Sequence, residues 1–157
     1  MRARDLAAPY PTVHADAPAV DAARILTEAG RPALVVVDDH DHPTAILPAS
    51  QVLRFVIPRY IQDDPALARV VDEEFADHMC DSLAGKTVAE LLPREGPKLV
   101  VVEPDDNVIE IAALMAGNRS PLVAVVDGKG SKAPMMGAIT VASLLSGLLP
   151  ERITDPG

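Results

Sequence analysis

The feature that most constrains this chain is an internal repeat. Residues 15–38, ADAPAVDAARILTEAGRPALVVVD, align without a gap on residues 104–127, PDDNVIEIAALMAGNRSPLVAVVD. The register is constant (105 − 16, 121 − 32 and 127 − 38 all give 89). Asp16/Asp105, Ala23/Ala112, Pro32/Pro121, Val36/Val125, Val37/Val126 and Asp38/Asp127 are identical pairs. One register kept through both a helical and a strand-like pattern predicts two copies of one supersecondary unit.

Each copy reads as the same string of elements. Carboxylates come first, Asp16 or Asp105 and Asp106, where they suit a helix dipole and are expected to cap free N–H groups. Asn107 and Glu110 have capping-box spacing. Helical periodicity follows: Ala19, Ala22, Ala23 and Leu26, then Val108, Ile111, Ala112 and Met115. Continuous apolar runs at 33–37 and 122–126 suit strands covered on both faces. After polar loops come a second strand (44–47 and 137–140) and a second helix (49–57 and 142–149), each ended by a proline, Pro58 or Pro150. A short segment precedes each copy, at 2–7 and 87–92. The predicted fold class is therefore α/β (α+β), each copy helix-strand-strand-helix with a preceding segment.

Between the copies, Pro65 suits a helix start and Gly85 its end. Leu67, Val70, Val71, Phe75, Met79 and Leu83 form one stripe, so a single linker helix is expected. The domain reading is motif 1 at 1–58, linker at 59–86, motif 2 at 87–150 and a flexible tail at 151–157.

Composition excludes several function classes. The 157 residues are 48% hydrophobic and 24% charged, which is globular composition. Lys plus Arg is 14 against 23 Asp plus Glu, a net charge of −9. That balance argues against general nucleic-acid or anionic-membrane binding. The aromatics are Tyr10, Phe55, Tyr60 and Phe75, too few for a base-stacking platform. Cys80 stands alone, so no intramolecular disulfide forms and a reducing interior is expected. With no apolar run of signal-peptide or membrane-span length, the chain is read as cytoplasmic, with no direct membrane insertion. Ten arginines against four lysines, with abundant alanine, point to a GC-rich bacterial source.

The two ordered copies resemble the tandem CBS domain pair, or Bateman module. The resemblance rests on Thr12-Val13-His14-Ala15-Asp16, Val101-Val102-Glu103-Pro104-Asp105, the two VVD strand ends and Gly137-Ala138-Ile139-Thr140. It implies two motifs packed through their sheets with pseudo-twofold symmetry, two clefts, and a homodimer formed through the motif helices. Val52, Leu53, Val56 and Ile57, and Leu144, Leu145, Leu148 and Leu149, fit such a face; they fit a core equally.

The resemblance also implies where a ligand would sit. In the family a Thr or Ser at the second strand–helix junction meets phosphate, and an Asp three residues on binds the ribose. Here the second copy keeps Thr140 and puts Ser143 at the Asp position, with Ser120, Arg119 and Val101 as further candidates. The first copy is read as degenerate: Leu47 in place of the hydroxyl, Ser50 in place of the Asp, with Thr12 nearby and Pro48 lacking an N–H. Serine hydrogen-bonds but is no bidentate anionic acceptor. The competing reading makes Ser50 and Ser143 plain helix caps.

Other motifs carry less. Asp38-Asp39-His40-Asp41-His42 is dense in metal-ligand types but sits in a polar loop, so no metal site is assigned. His78 and Cys80 are two apart and face different sides of a helix. Gly128-Lys129-Gly130-Ser131-Lys132 lacks phosphate-loop spacing and is read as a hairpin loop. No nucleophile elbow or zinc-hydrolase motif occurs, so no enzyme is expected. The functional expectation is a non-catalytic regulatory module that dimerises and modulates a separate partner, a transporter or enzyme. By resemblance, a membrane anion or metalloid transporter comes first. The alternatives are an adenine-nucleotide or S-adenosylmethionine sensor at the second-motif cleft, and a structural dimer without ligand.

Overall fold

The computed structural model describes residues 1–95, 98–129 and 132–149. The tail expected at 151–157, Pro150, and Gly130 and Ser131 of the lysine loop lie outside the described residues. The chain folds into two compact units, one of residues 1–10, 37–45 and 97–157, the other of 11–36 and 46–96. Each copy contributes one mixed α/β set. The first holds α1 (Ala3–Leu6), β1 (Thr12–His14), α2 (Ala19–Ala29), β2 (Ala33–Val37), β3 (Pro43–Pro48) and α3 (Ala49–Val56). The second holds α6 (Val88–Leu91), β4 (Val100–Val102), α7 (Val108–Asn118), β5 (Leu122–Val126), β6 (Met135–Thr140) and α8 (Val141–Leu148).

The strands form two three-stranded sheets, ordered β1-β2-β3 and β4-β5-β6. In the second, β4 runs parallel to β5 with Val100 opposite Val123, and β6 runs antiparallel with Leu122 opposite Thr140. The central strands β2 and β5 are buried at every position, as their unbroken apolar runs require. The sequence reading found two strands per copy, and the structure adds a third. β1 and β4 are three-residue edge strands with one buried residue each, Val13 and Val102.

The core of the second sheet's unit joins Val102, Val108, Ile111, Met115, Val123, Val125, Ile139 and Leu144 to Ala3 from the chain start. Burying each large aliphatic side chain stabilises the fold by roughly 1.5–3 kcal/mol. The helical periodicity lands inward: Ala19, Ala22 and Leu26 of α2 are buried, as are Val108, Ile111 and Met115 of α7.

The helix starts are satisfied differently from the expectation at Asp16. Pro18 is the N-cap of α2 and makes no side-chain cap bond. Instead the short helix preceding each copy docks beside the long helix of the other copy. Val88 and Ala89 donate N–H to the carbonyls of Ala17 and Ala15 at 2.9 Å, and Ala19 donates to Lys86 at 2.8 Å. In the other unit Ala3 and Arg4 donate to Asp106 and Pro104 at 2.9 Å, and Val108 donates to Met1 at 3.3 Å. The bonds run both ways: the exchanged segment's first helical N–H groups are accepted by carbonyls of the loop before the long helix, and its Lys86 or Met1 carbonyl accepts the N–H of Ala19 or Val108 at the start of the long helix. Asn107 caps α7 through a single bond, from Ile109 N–H at 2.7 Å, so the box expected with Glu110 is reduced to its Asn half. The carboxylates turn elsewhere: Asp105 pairs with Arg4, and Asp106 accepts Glu103 N–H at 2.8 Å.

Exchange also explains Gly137. Ala8 forms an antiparallel bridge with Ala138 on β6, and a Cβ at Gly137 would stand 2.8 Å from the Ala8 carbonyl oxygen.

The linker is not one helix. It is a chain of short pieces: α4 (Arg59–Asp63), a 3₁₀ turn (Pro65–Val70), α5 (Glu73–Asp77) and a 3₁₀ turn (Met79–Leu83). Asp64 accepts Ala66 N–H and Asp72 accepts Phe75 N–H, so each acidic residue starts a new turn. Of the expected stripe only Leu83 is buried; Val70 is 83% exposed. Gly85 does close the segment, with φ of 75°.

Candidate functional site

The strand–helix junction of the second copy is built by a buried strand running into an eight-residue helix. β6 ends at Thr140, which is the N-cap of α8. Thr140 Oγ1 accepts Ser143 N–H at 3.1 Å, and Thr140 N–H donates to Ser143 Oγ at 2.9 Å. The Ser143 hydroxyl also lies 3.0 Å from the Thr140 carbonyl and 3.1 Å from Thr140 Oγ1. This is a reciprocal capping box. The two leading ligand candidates therefore sit together, bonded to one another.

Ser120 is 3% exposed, and its hydroxyl donates to the Leu122 carbonyl at 2.5 Å. Arg119 holds a left-handed backbone (φ 51°) as the C-cap of α7. Arg119 and Ser120 line an apolar cleft of 470 Å³ with Met115 of α7 and Val141, Leu144, Leu145 and Leu148 of α8. Thr140 and Ser143 are not among the lining residues, so the structure separates the four candidates into a hydroxyl pair and a cleft rim. Val101 stands on β4, 39% exposed.

The first copy needs one correction. β3 and β6 are both six residues and α3 and α8 both eight, so Pro48 corresponds to Thr140 and Gln51 to Ser143 (140 − 48 and 143 − 51 both give 92). The last three positions of the two strands share one burial pattern in this register, and Ala49 N–H reaches Pro32 as Val141 N–H reaches Pro121. Leu47 is thus not the counterpart of Thr140. It is a fully buried strand residue matching Ile139. Ser50 is exposed on the first turn of α3 and matches Ala142, not Ser143. Pro48 makes no side-chain cap bond, and Gln51 reaches across to the Leu91 carbonyl at 3.0 Å. Thr12 opens β1 in an exposed position. The sequence reading missed Gln51; the signal available was the match of element lengths, which needs strand bounds known to one residue.

The Asp38–His42 loop is internally bonded. Asp38 Oδ1 accepts His40 N–H at 2.9 Å and His42 N–H at 3.0 Å, and His42 Nδ1 donates to the Ala133 carbonyl at 3.0 Å. Desolvation raises the Asp38 pKa, but these amides and the two imidazoles outweigh it and hold the carboxyl below its ordinary value. Among the described residues, no group of three or more His, Cys, Asp or Glu is placed to hold a metal ion. Cys80 is exposed and free, and His78 turns to Asp81 at 2.8 Å. No helix of the described residues is long and apolar enough to cross a membrane.

Two copies of a three-stranded sheet flanked by helices define a paired α/β module. The family model for the CBS domain matches residues 3–58 and 88–150, and the chain belongs to that family as a tandem pair. It is similar to a CBS domain-containing protein of unknown function from Kribbella flavida, at 47% identity over 96% of this chain and 99% of that one, TM-score 0.85. It is also similar to the CBS domain of a membrane protein from Sphaerobacter thermophilus, at 26% identity over 96% and 90%, TM-score 0.71. A further match is CBSX2 in complex with AMP, at 20% identity over 98% of each chain, TM-score 0.65. Among curated proteins none matches the chain.

Proposed function

We propose that this chain is a non-catalytic regulatory module that pairs with a second copy through the α7–α8 face and modulates a separate effector protein. The observation that carries this reading is the apolar rim of the 470 Å³ cleft: Val141 is 43% exposed, Leu145 51% and Leu148 40%. Leu149 and Ile109 extend the exposed apolar surface at 46% and 65%. A self-complementary apolar face is what a twofold dimer of identical chains buries. A membrane transporter is the effector class to try first, and the match to a membrane protein's CBS domain supports it.

Sedimentation velocity tests the pairing. The wild type sediments at twice the 16.6 kDa chain mass, and Leu145→Asp with Leu148→Asp gives a folded monomer. A wild type that sediments as a 16.6 kDa monomer at micromolar concentration overturns the reading.

A second reading is an adenosyl or adenine-nucleotide sensor at the second-motif cleft. The observation favouring it is the Thr140 hydroxyl at the start of an eight-residue helix, a position that suits phosphate. The AMP complex of CBSX2 supports the ligand class. This reading requires Thr140 and Ser143 to exchange their mutual bonds for ligand.

A further inference from the structure

We infer that the segment between the two copies docks a basic amphipathic helix of a partner protein, in a groove lined by Tyr60, Leu67, Val70, Val71, Asp72 and Phe75. The inference rests on the proposed effector reading and names the contact that an effector makes. Residues 59–87 lie between the two segments that match the CBS domain, so the groove is no part of the repeated unit. It belongs wholly to the unit of residues 11–36 and 46–96, whereas the α7–α8 face belongs to the other.

The groove follows from how the linker folds. Ile61 and Leu83 are buried and anchor its two ends. New turns start at Asp64 and Asp72, and the middle of the segment stays outside. Tyr60, Leu67, Val70 and Phe75 are all exposed. Single exposed apolar side chains are ordinary on a protein surface. Four of them around one concavity of 300 Å³ make a patch, and a patch with a polar rim marks a contact.

Charge selects the occupant. Residues 60–83 carry seven Asp or Glu against Arg69 alone, a charge of −6 out of the chain's net −9. All seven acids are exposed. Asp72 lines the groove itself, and Glu73, Glu74 and Asp77 share α5 with Phe75. The described lining residues include no Lys, Arg or His, so an anionic ligand finds no cation there. A second copy set on this face by a twofold axis brings carboxylates against carboxylates, which is repulsive. A partner segment with apolar side chains for the groove and Lys or Arg for its rim matches both features. A helix presents the two together, with apolar residues at i, i+3, i+4 and i+7 and cations beside them. Opposite charge also speeds the encounter.

Fluorescence anisotropy with two labelled peptides of about five helical turns tests the inference, at about 0.15 M salt to screen distant charge. One peptide is an amphipathic helix of leucine and lysine; the other has glutamate in place of lysine. The full chain binds the lysine peptide and not the glutamate peptide. Binding weakens about tenfold or more in Val70→Asp with Phe75→Asp. It weakens likewise in Glu73→Lys, Glu74→Lys, Asp77→Lys, which keeps the apolar lining and guards against a folding defect in the first variant. The control Glu28→Lys, Asp39→Lys, Glu110→Lys changes net charge equally at exposed sites outside the segment and leaves binding unchanged. The Leu145→Asp, Leu148→Asp variant binds the lysine peptide as the wild type does, so failed pairing and failed docking are read separately. No binding of the lysine peptide at about 1 mM, or equal weakening in the control, overturns the inference. Loss of pairing in Val70→Asp with Phe75→Asp, read by sedimentation, also overturns it and makes the groove a contact between copies.

Discussion

The two strand–helix junctions have the same backbone and opposite chemistry. Both join a six-residue strand to an eight-residue helix, and both anchor the first helical N–H on a proline carbonyl, Pro32 or Pro121. In the second copy Thr140 and Ser143 turn inward on each other and close the cap. In the first, Pro48 has neither an N–H nor a hydroxyl, and Gln51 reaches away to Leu91. The difference teaches that a repeat keeps its shape through backbone bonds and buried aliphatics while its polar side chains drift to separate tasks. A hydroxyl at a familiar position is not yet a ligand site; its bonds decide.

The largest effect that tests this comparison comes from the strand residues. With Leu47 as the partner of Ile139, Leu47→Ala and Ile139→Ala each lose about 2–5 kcal/mol, measured by urea unfolding. A loss below about 1 kcal/mol at Leu47 would restore its pairing with Thr140. Next come the caps. Thr140→Ala costs about 0.5–2 kcal/mol, whereas Ser50→Ala, on an exposed side chain, stays within about 0.5 kcal/mol. Equal losses would erase the asymmetry.

The smallest effect is acidic. Asp38 is held below its ordinary value, so its contribution is complete above the unfolded carboxylate range and disappears as pH falls through the lower folded value. Thermal melts below pH about 4 should therefore converge for wild type and Asp38→Asn, after differing near neutrality. A gap that stays constant with pH would show that the bonds to His40 and His42 do not depend on charge.

The long periodic elements were legible in the sequence. The runs 33–37 and 122–126 coincide with β2 and β5, because strands buried on both faces leave unbroken apolar stretches. β1 and β4 were not legible, since three residues with one buried position give no periodicity to read. The linker misled for a related reason. Its apolar stripe has helical spacing, but Pro65 and the capping carboxylates of Asp64 and Asp72 restart the chain before a long helix can form. At the candidate site, Thr140 and Ser143 stood out as residues, but their mutual bonding depends on cap geometry that spacing alone does not specify.

The central claim is that the polar groups of the second junction serve its own helix and that the chain acts through its faces. Thermal melts of wild type and Thr140→Ala, each with and without millimolar AMP, test it most directly. The account predicts that Thr140→Ala melts lower without ligand, and that any shift caused by AMP is the same in both proteins. Stabilisation of the wild type by AMP that disappears in Thr140→Ala would contradict it and make the second junction a nucleotide site.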